Sequence, residues 1–203
     1  MKNSQTKHID GCTPILDFSG IKLDWVQTID QLNLVEAENI LKAYKKYFLR
    51  PLNYKNKWFT LSFLKRVHLE MFGNIWKWTG LFRKTTTNIG TKPHLIPSEL
   101  ALLCEDVKFW PESSSIDVLQ QSIRIHHRLV KIHPFINGNG RHARFIADLF
   151  LHTLNAKRPL WPNDLEKEGK SRKVYISALK EADRGSYDLL YEFTLRCGAK
   201  NKK

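Results

Sequence analysis

IHPFINGNGRHARF, residues 132–145, sets Gly138 and Gly140 among asparagines, with His133 ahead of them and Arg141 and Arg144 behind. Pro134 stops any helix arriving from the N-terminal side, because the residue before proline avoids helical backbone. The two glycines permit a sharp turn and a close approach to a ligand, and HARFIADLFLHTL, from His142 on, is helical in composition again. The stretch therefore predicts helix, tight loop, helix, the second helix beginning inside NGNGR and running to about Asn155. The first amides of such a helix lack partners within it and attract anions, with the helix dipole helping. Arg141 and Arg144, three apart, project from neighbouring faces of that first turn and can clamp phosphate oxygens. His133 stands at the lip, where an imidazole can take a proton from an incoming hydroxyl. A phosphate cradle and a base, with no nucleophile of its own, point to phosphoryl or nucleotidyl transfer to a second substrate.

Outward from this loop the chain reads as mostly helical. Thr28 and Gln31 fit a capping box, followed by an apolar stripe of Leu34, Ala37, Leu41, Tyr44 and Phe48. Leu61, Leu64, His68, Met71 and Ile75 repeat that stripe in a second helix. The threonines at 85–87, the turn residues Asn88 to Gly90, and Pro93 and Pro97 predict a short β-hairpin or extended flap. A helix holding Leu100, Leu103 and Val107 is expected to end before Pro111. A second capping box, Ser114 to Asp117, opens a helix through about Lys131. Two further helices follow Pro162, the first stopped by Gly185. The sequence thus predicts an all-α fold with a β-hairpin flap. Residues 28–198 form one helical domain in this reading, between an irregular arm (1–27) and a basic tail (199–203).

Composition bounds the function. The 203 residues are 42% hydrophobic, enough for a real core, and contain no apolar run of membrane-spanning length. MKNSQTKHIDGCTP lacks the apolar stretch of a signal peptide, and the three cysteines are far apart, so reduced cytoplasmic thiols are expected. The net charge of +13 attracts phosphates of any kind. No nucleic-acid motif accompanies it, and nucleic acid is not required by the reading. A metal hydrolase built on His126, His127, His133 and His142 lacks a carboxylate at ligand spacing, and adjacent helical histidines do not face one site.

HPFINGNGRHAR resembles the signature of the Fic family, His-x-Phe-x-(Asp/Glu)-Gly-Asn-Gly-Arg-x-x-Arg, at every fixed position but one. IHHRLVKIHPF, WTGLFRKTTTNIG and RKVYISALKEADRGSYDLL resemble the segments around it, so that the likeness is strongest over residues 60–195. TIDQLNLVEAENI resembles the mobile-element subgroup called mobile mystery protein B, often encoded beside a small helix-turn-helix partner. The resemblance implies a Fic-type helical bundle that moves AMP from ATP to a hydroxyl side chain of a target protein, using Mg²⁺ or Mn²⁺, in the manner of a bacterial toxin. It implies that His133 is the general base and Phe135 the anchor of the loop. Gly138, Asn139 and Gly140 would form the anion hole, and Arg141 and Arg144 would hold the outer phosphates. A flap at Thr86, Thr87, Asn88 and Ile89 would dock the target.

Asn137 departs from that pattern, standing where the family carries the Asp or Glu that holds Mg²⁺. Its carbonyl is a neutral ligand where magnesium sites usually offer a carboxylate. Three outcomes are open: weaker metal binding and slow AMP transfer, another phosphate-containing donor, or a silent fold that binds nucleotide or a partner. No clean copy of the family's inhibitory motif, (Ser/Thr)-x-x-x-Glu-(Gly/Asn), is present. Glu38-Asn39 has its last two residues, but Leu34 replaces the hydroxyl, so Glu38 is the candidate inhibitory glutamate.

Overall fold

The computed structural model describes residues 18–49, 58–113, 115–162, 164, 165 and 169–199. Most of the expected arm and nearly all of the basic tail lie outside the described residues, as does Ser114. The helices are α1 (Ile29–Phe48), α2 (Leu61–Phe72), α3 (Ile96–Ser113), α4 (Val118–Ile132), α5 (Asn139–Thr153), α6 (Lys170–Asp183) and α7 (Asp188–Ala199). No strand occurs among the described residues; two isolated antiparallel bridges, Ile21 with Trp76 and Phe82 with Phe135, take that place. The all-α expectation holds.

Of the described residues, 18–158 form one compact unit and 159–199 a second. In the first, α5 packs along α4, and α1 and α3 lie on α2 and α4. Ile146, Leu149, Phe150 and Leu151 of α5 are fully buried, as the apolar run after Phe145 predicts. In the second, α6 pairs with α7, and Tyr175 meets Phe193 with ring centroids 5.7 Å apart.

Local chemistry sets the helix ends. Thr28 and Gln31 close the predicted capping box on α1. α4 starts one turn later than expected, because Asp117 is its N-cap and accepts from the Gln120 amide at 2.9 Å. α3 runs to Ser113, past Pro111 where it was expected to stop. The proline removes the amide that would donate four residues back, and the helix ends two residues beyond it.

Two further expectations fail for physical reasons. The α1 stripe is rotated: Leu34 and Leu41 are 61% and 53% exposed, and the buried face carries Leu32, Glu36, Asn39, Ala43 and Tyr47. Hydropathy places Glu36 and Asn39 outside, yet hydrogen-bond partners in the core hold both inside. The β-hairpin does not form. Residues 84–92 are irregular, and the carbonyls of Thr85 and Thr91 accept from the Arg83 side chain instead of from a paired strand.

Candidate active site

The site lies within the first unit, where α4 ends and α5 begins. His133 is the residue that ends α4, and its backbone is left-handed (φ 52°, ψ 59°). Such a conformation is uncommon outside glycine, and strained residues gather at functional sites. The side chain is buried. Burial first, and the Arg83 charge second, lower its pKa to about 4 against a hydrogen bond to the Val130 carbonyl. The imidazole is therefore neutral across the physiological range, and a neutral imidazole keeps one nitrogen able to accept a proton.

The loop between the helices is held from three sides. Phe135 is fully buried, and its ring stacks on His68 with centroids 3.7 Å apart. Burying a phenylalanine contributes roughly 1.5–3 kcal/mol. Asn139 accepts from the Phe135 amide and donates to the Phe135 carbonyl, both at 2.8 Å, so its side chain staples the loop to itself. His68 Nδ1 accepts from the Gly80 amide at 3.1 Å, which leaves Nε2–H to donate to the Asn137 carbonyl at 3.0 Å. Burial lowers the His68 pKa, in keeping with this single tautomer.

Gly138 caps α5 in a left-handed conformation (φ 76°), and a Cβ there would lie 2.7 Å from the Phe72 ring. Gly140 is different: a Cβ would meet only the Arg144 guanidinium, at 3.7 Å. The space beside Gly140, in the first turn of α5, is thus open, with Arg144 at its edge. Arg141 points elsewhere. Its guanidinium donates to Glu36 Oε2 at 2.5 Å and lies over the Phe72 ring, 4.8 Å from the centroid. Glu36 is itself fixed by the Trp76 indole, which donates to Oε1 at 2.8 Å. Glu38, the glutamate suggested by sequence, is exposed on the other side of α1; the acid that reaches this site is Glu36.

Asn137 accepts the Gly138 amide proton on Oδ1 at 2.5 Å. Its carbonyl oxygen is thereby turned into the loop. Among the described residues no group of three or more His, Cys, Asp or Glu side chains is placed to hold a metal ion. His126 and His142 are buried, with pKa values lowered to about 3 and about 4 chiefly by desolvation, and they act as core residues.

Residues 84–92 border His133. Gly90 (φ 109°) sits so close that a Cβ would lie 2.6 Å from the Cβ of His133. Thr86 and Asn88 are exposed, while the Thr87 hydroxyl donates to the Ile89 carbonyl at 2.5 Å. Glu36, Trp76, His68 and Gly90 are missed by the sequence reading.

Residues 58–151 match the family model described as the Fic/DOC family. A protein adenylyltransferase Fic from Drosophila grimshawi is 29% identical over 95% of this chain and 40% of its own length. Another so named, from Culex quinquefasciatus, is 27% identical over 93% of the chain and 38% of its own length. The chain thus spans about two-fifths of the curated relatives it matches. Among solved structures, C. elegans Fic-1 (residues 134–508) superposes with a TM-score of 0.65 at 20% identity, covering 87% of this chain and 51% of that one. A BepC protein from Bartonella tribocorum with bound AMPPNP superposes at 0.62 and 17% identity, covering 83% and 87%. These structures share the helical fold.

Proposed function

We propose that the Fic/DOC-family domain of this chain transfers AMP from ATP to a hydroxyl side chain of a target protein. The observation that carries this reading is the placement of His133, neutral and left-handed, directly ahead of the open first turn of α5. Matching names among the curated relatives support the reaction class, and a nucleotide analogue bound to a structural neighbour supports the ligand class.

In this reading the phosphates lie over the amides of Asn139, Gly140 and Arg141, with Arg144 beside them. The target hydroxyl approaches along the flap at Thr86 to Ile89. His133 takes its proton, the hydroxyl oxygen bonds to the α-phosphorus, and the bond to the bridging oxygen breaks to release pyrophosphate. The proton on the imidazole then passes to solvent. Positioning and charge stabilisation supply most of the acceleration in such transfers. Arg141 takes a supporting place, tied to Glu36, and Arg144 is the arginine we assign to phosphate. The Mg²⁺ or Mn²⁺ that the resemblance implies does not fit the residues present. Asn137 offers no charge and its oxygen is engaged by Gly138, so no step is routed through a metal.

The finer setting belongs to the same proposal: a bacterial, cytoplasmic, toxin-like member of the mobile mystery protein B subgroup with a helix-turn-helix partner. It rests on the resemblance of TIDQLNLVEAENI. The deciding test of function is incubation with ATP labelled at the α-phosphate and a cell lysate, beside His133→Ala. Label on protein that disappears in the variant supports transfer. Label that persists in the variant, or wild type that binds ATP and never labels protein, favours the silent fold instead.

A further inference from the structure

Arg83 is 2% exposed. Burial lowers its pKa. Its donors go to main-chain carbonyls on two separate segments. Nε donates to His133 at 2.6 Å and Nη2 to Ile132 at 3.3 Å, on the catalytic loop. Nη1 donates to Thr85 at 2.8 Å and Nη2 to Thr91 at 2.5 Å, at the two ends of the flap. Its backbone adds a third tie, with the Arg83 amide donating to the Pro134 carbonyl at 2.9 Å. Between the two clamped ends, Gly90 rests against the His133 Cβ and the Arg83 guanidinium, each 2.6 Å from where a Cβ would stand.

We infer that Arg83 is a positioning residue that locks the flap and the His133 backbone into one unit, with Gly90 as the contact between them. This rests on the reading of His133 as the base and of the flap as the docking edge. The carbonyl of His133 is bonded directly, so Arg83 helps to hold the left-handed backbone that aims the imidazole. The fork geometry matters: a planar guanidinium reaches several carbonyls in fixed directions, whereas a lysine ammonium is one point at the end of a flexible stem. A flap fixed at both ends by the same group that fixes the base couples target docking to proton acceptance.

The test uses Arg83→Lys, which keeps the charge, and Gly90→Ala, which keeps the arginine but crowds both its guanidinium and the His133 Cβ from an exposed position. Steady-state kinetics on the full chain are expected to show kcat down about a hundredfold in each, the scale of a 1 Å misplacement. KM for the target is expected to rise and KM for ATP to stay unchanged, because the cradle lies outside these bonds. Equal losses in KM for ATP and for the target, or unchanged kinetics in folded variants, would overturn the inference. An activity-independent readout separates it from the proposed reaction. Amide exchange across residues 84–91 should accelerate in Arg83→Lys, and the His133 ring signals should shift in both variants by NMR. A folded Arg83→Lys protein with wild-type flap exchange and wild-type His133 signals rejects the inference even if AMP transfer is never detected. Faster flap exchange with shifted His133 signals supports it in the same circumstance.

Discussion

Glu36 and Arg141, separated by 105 positions, meet through a 2.5 Å hydrogen bond in which both side chains are largely buried. This pair joins α1 to the first turn of α5 and removes Arg141 from the open side of the cradle. Breaking a buried pair from one side leaves a charge without compensation. Arg141→Ala is therefore expected to destabilise the protein by roughly 3 kcal/mol, leaving the Glu36 carboxylate stranded. Glu36→Gln keeps one acceptor oxygen for the two donors and leaves Arg141, whose side chain is 20% exposed, partly solvated, so it should cost less, about 1–2 kcal/mol. Chemical denaturation of the two variants ranks them, and a Glu36→Gln loss as large as that of Arg141→Ala would contradict the pairing described.

Buried histidines set the acid limit of the fold. His133 and His142 protonate near 4 when folded and near 6.5 when unfolded. Between those values the unfolded chain holds more protons, so stability is full above about pH 6.5 and declines as pH falls toward 4. Each of these histidines contributes roughly 3 kcal/mol of that decline. Thermal midpoints across this range are expected to drop steeply, and His142→Asn should flatten the slope. The same value for His133 keeps its imidazole unprotonated at neutral pH, so, with His133 as the proposed base, the acid limb of kcat/KM is expected below pH 5. An acid limb centred near 6.5 would show that His133 is more open to water than its burial indicates.

Restoring the acid at position 137 should change how the loop meets metal. In the wild type, Oδ1 of Asn137 accepts from Gly138 and the side chain carries no charge. Adding Mg²⁺ or a chelator is therefore expected to change its affinity for a fluorescent ATP analogue little. Asn137→Asp gives the site a carboxylate, and its affinity should rise with Mg²⁺ by about tenfold, or about 1.4 kcal/mol. Calorimetric titration with and without chelator measures both. Equal dependence on Mg²⁺ in the two proteins is the result that removes Asn137 from the account.

Local sequence signals carried several helix ends and the central loop, because they act through neighbours in the chain. Thr28 caps α1, Gly185 follows the end of α6, and the glycines of the signature open α5. What stayed hidden depends on partners far away. Glu36 reads as a solvent-facing acid until Arg141 and Trp76 are brought to it, and its burial turns the whole α1 stripe around. Thr85 to Thr87 have strand propensity, yet strand formation needs a paired edge, and here the Arg83 side chain occupies the carbonyls at both ends of the segment. The helix-loop-helix that carries Gly138 to Arg144 could be read from spacing. The turn of Arg141 toward Glu36 could not, since spacing gives Arg141 and Arg144 equal claims.

Gly138 and Gly140 separate the two tasks that glycine performs in this loop. Gly138 is required by the fold. Its left-handed backbone costs a residue with a Cβ roughly 1–2 kcal/mol, and the Phe72 ring 2.7 Å away adds a clash. Gly138→Ala should therefore lower stability and, through the loop, every function of the site. Gly140 is within α5 at ordinary helical backbone, with nothing near a new Cβ except Arg144 at 3.7 Å. Alanine there is the better helix former, by about 1 kcal/mol, and Gly140→Ala should raise the unfolding midpoint slightly. The added methyl would stand over the amides where phosphate is proposed to lie. Affinity for ATP should fall at least tenfold in a protein that is no less stable than wild type. A stable Gly140→Ala protein that binds ATP as tightly as wild type would place the phosphates away from the first turn of α5.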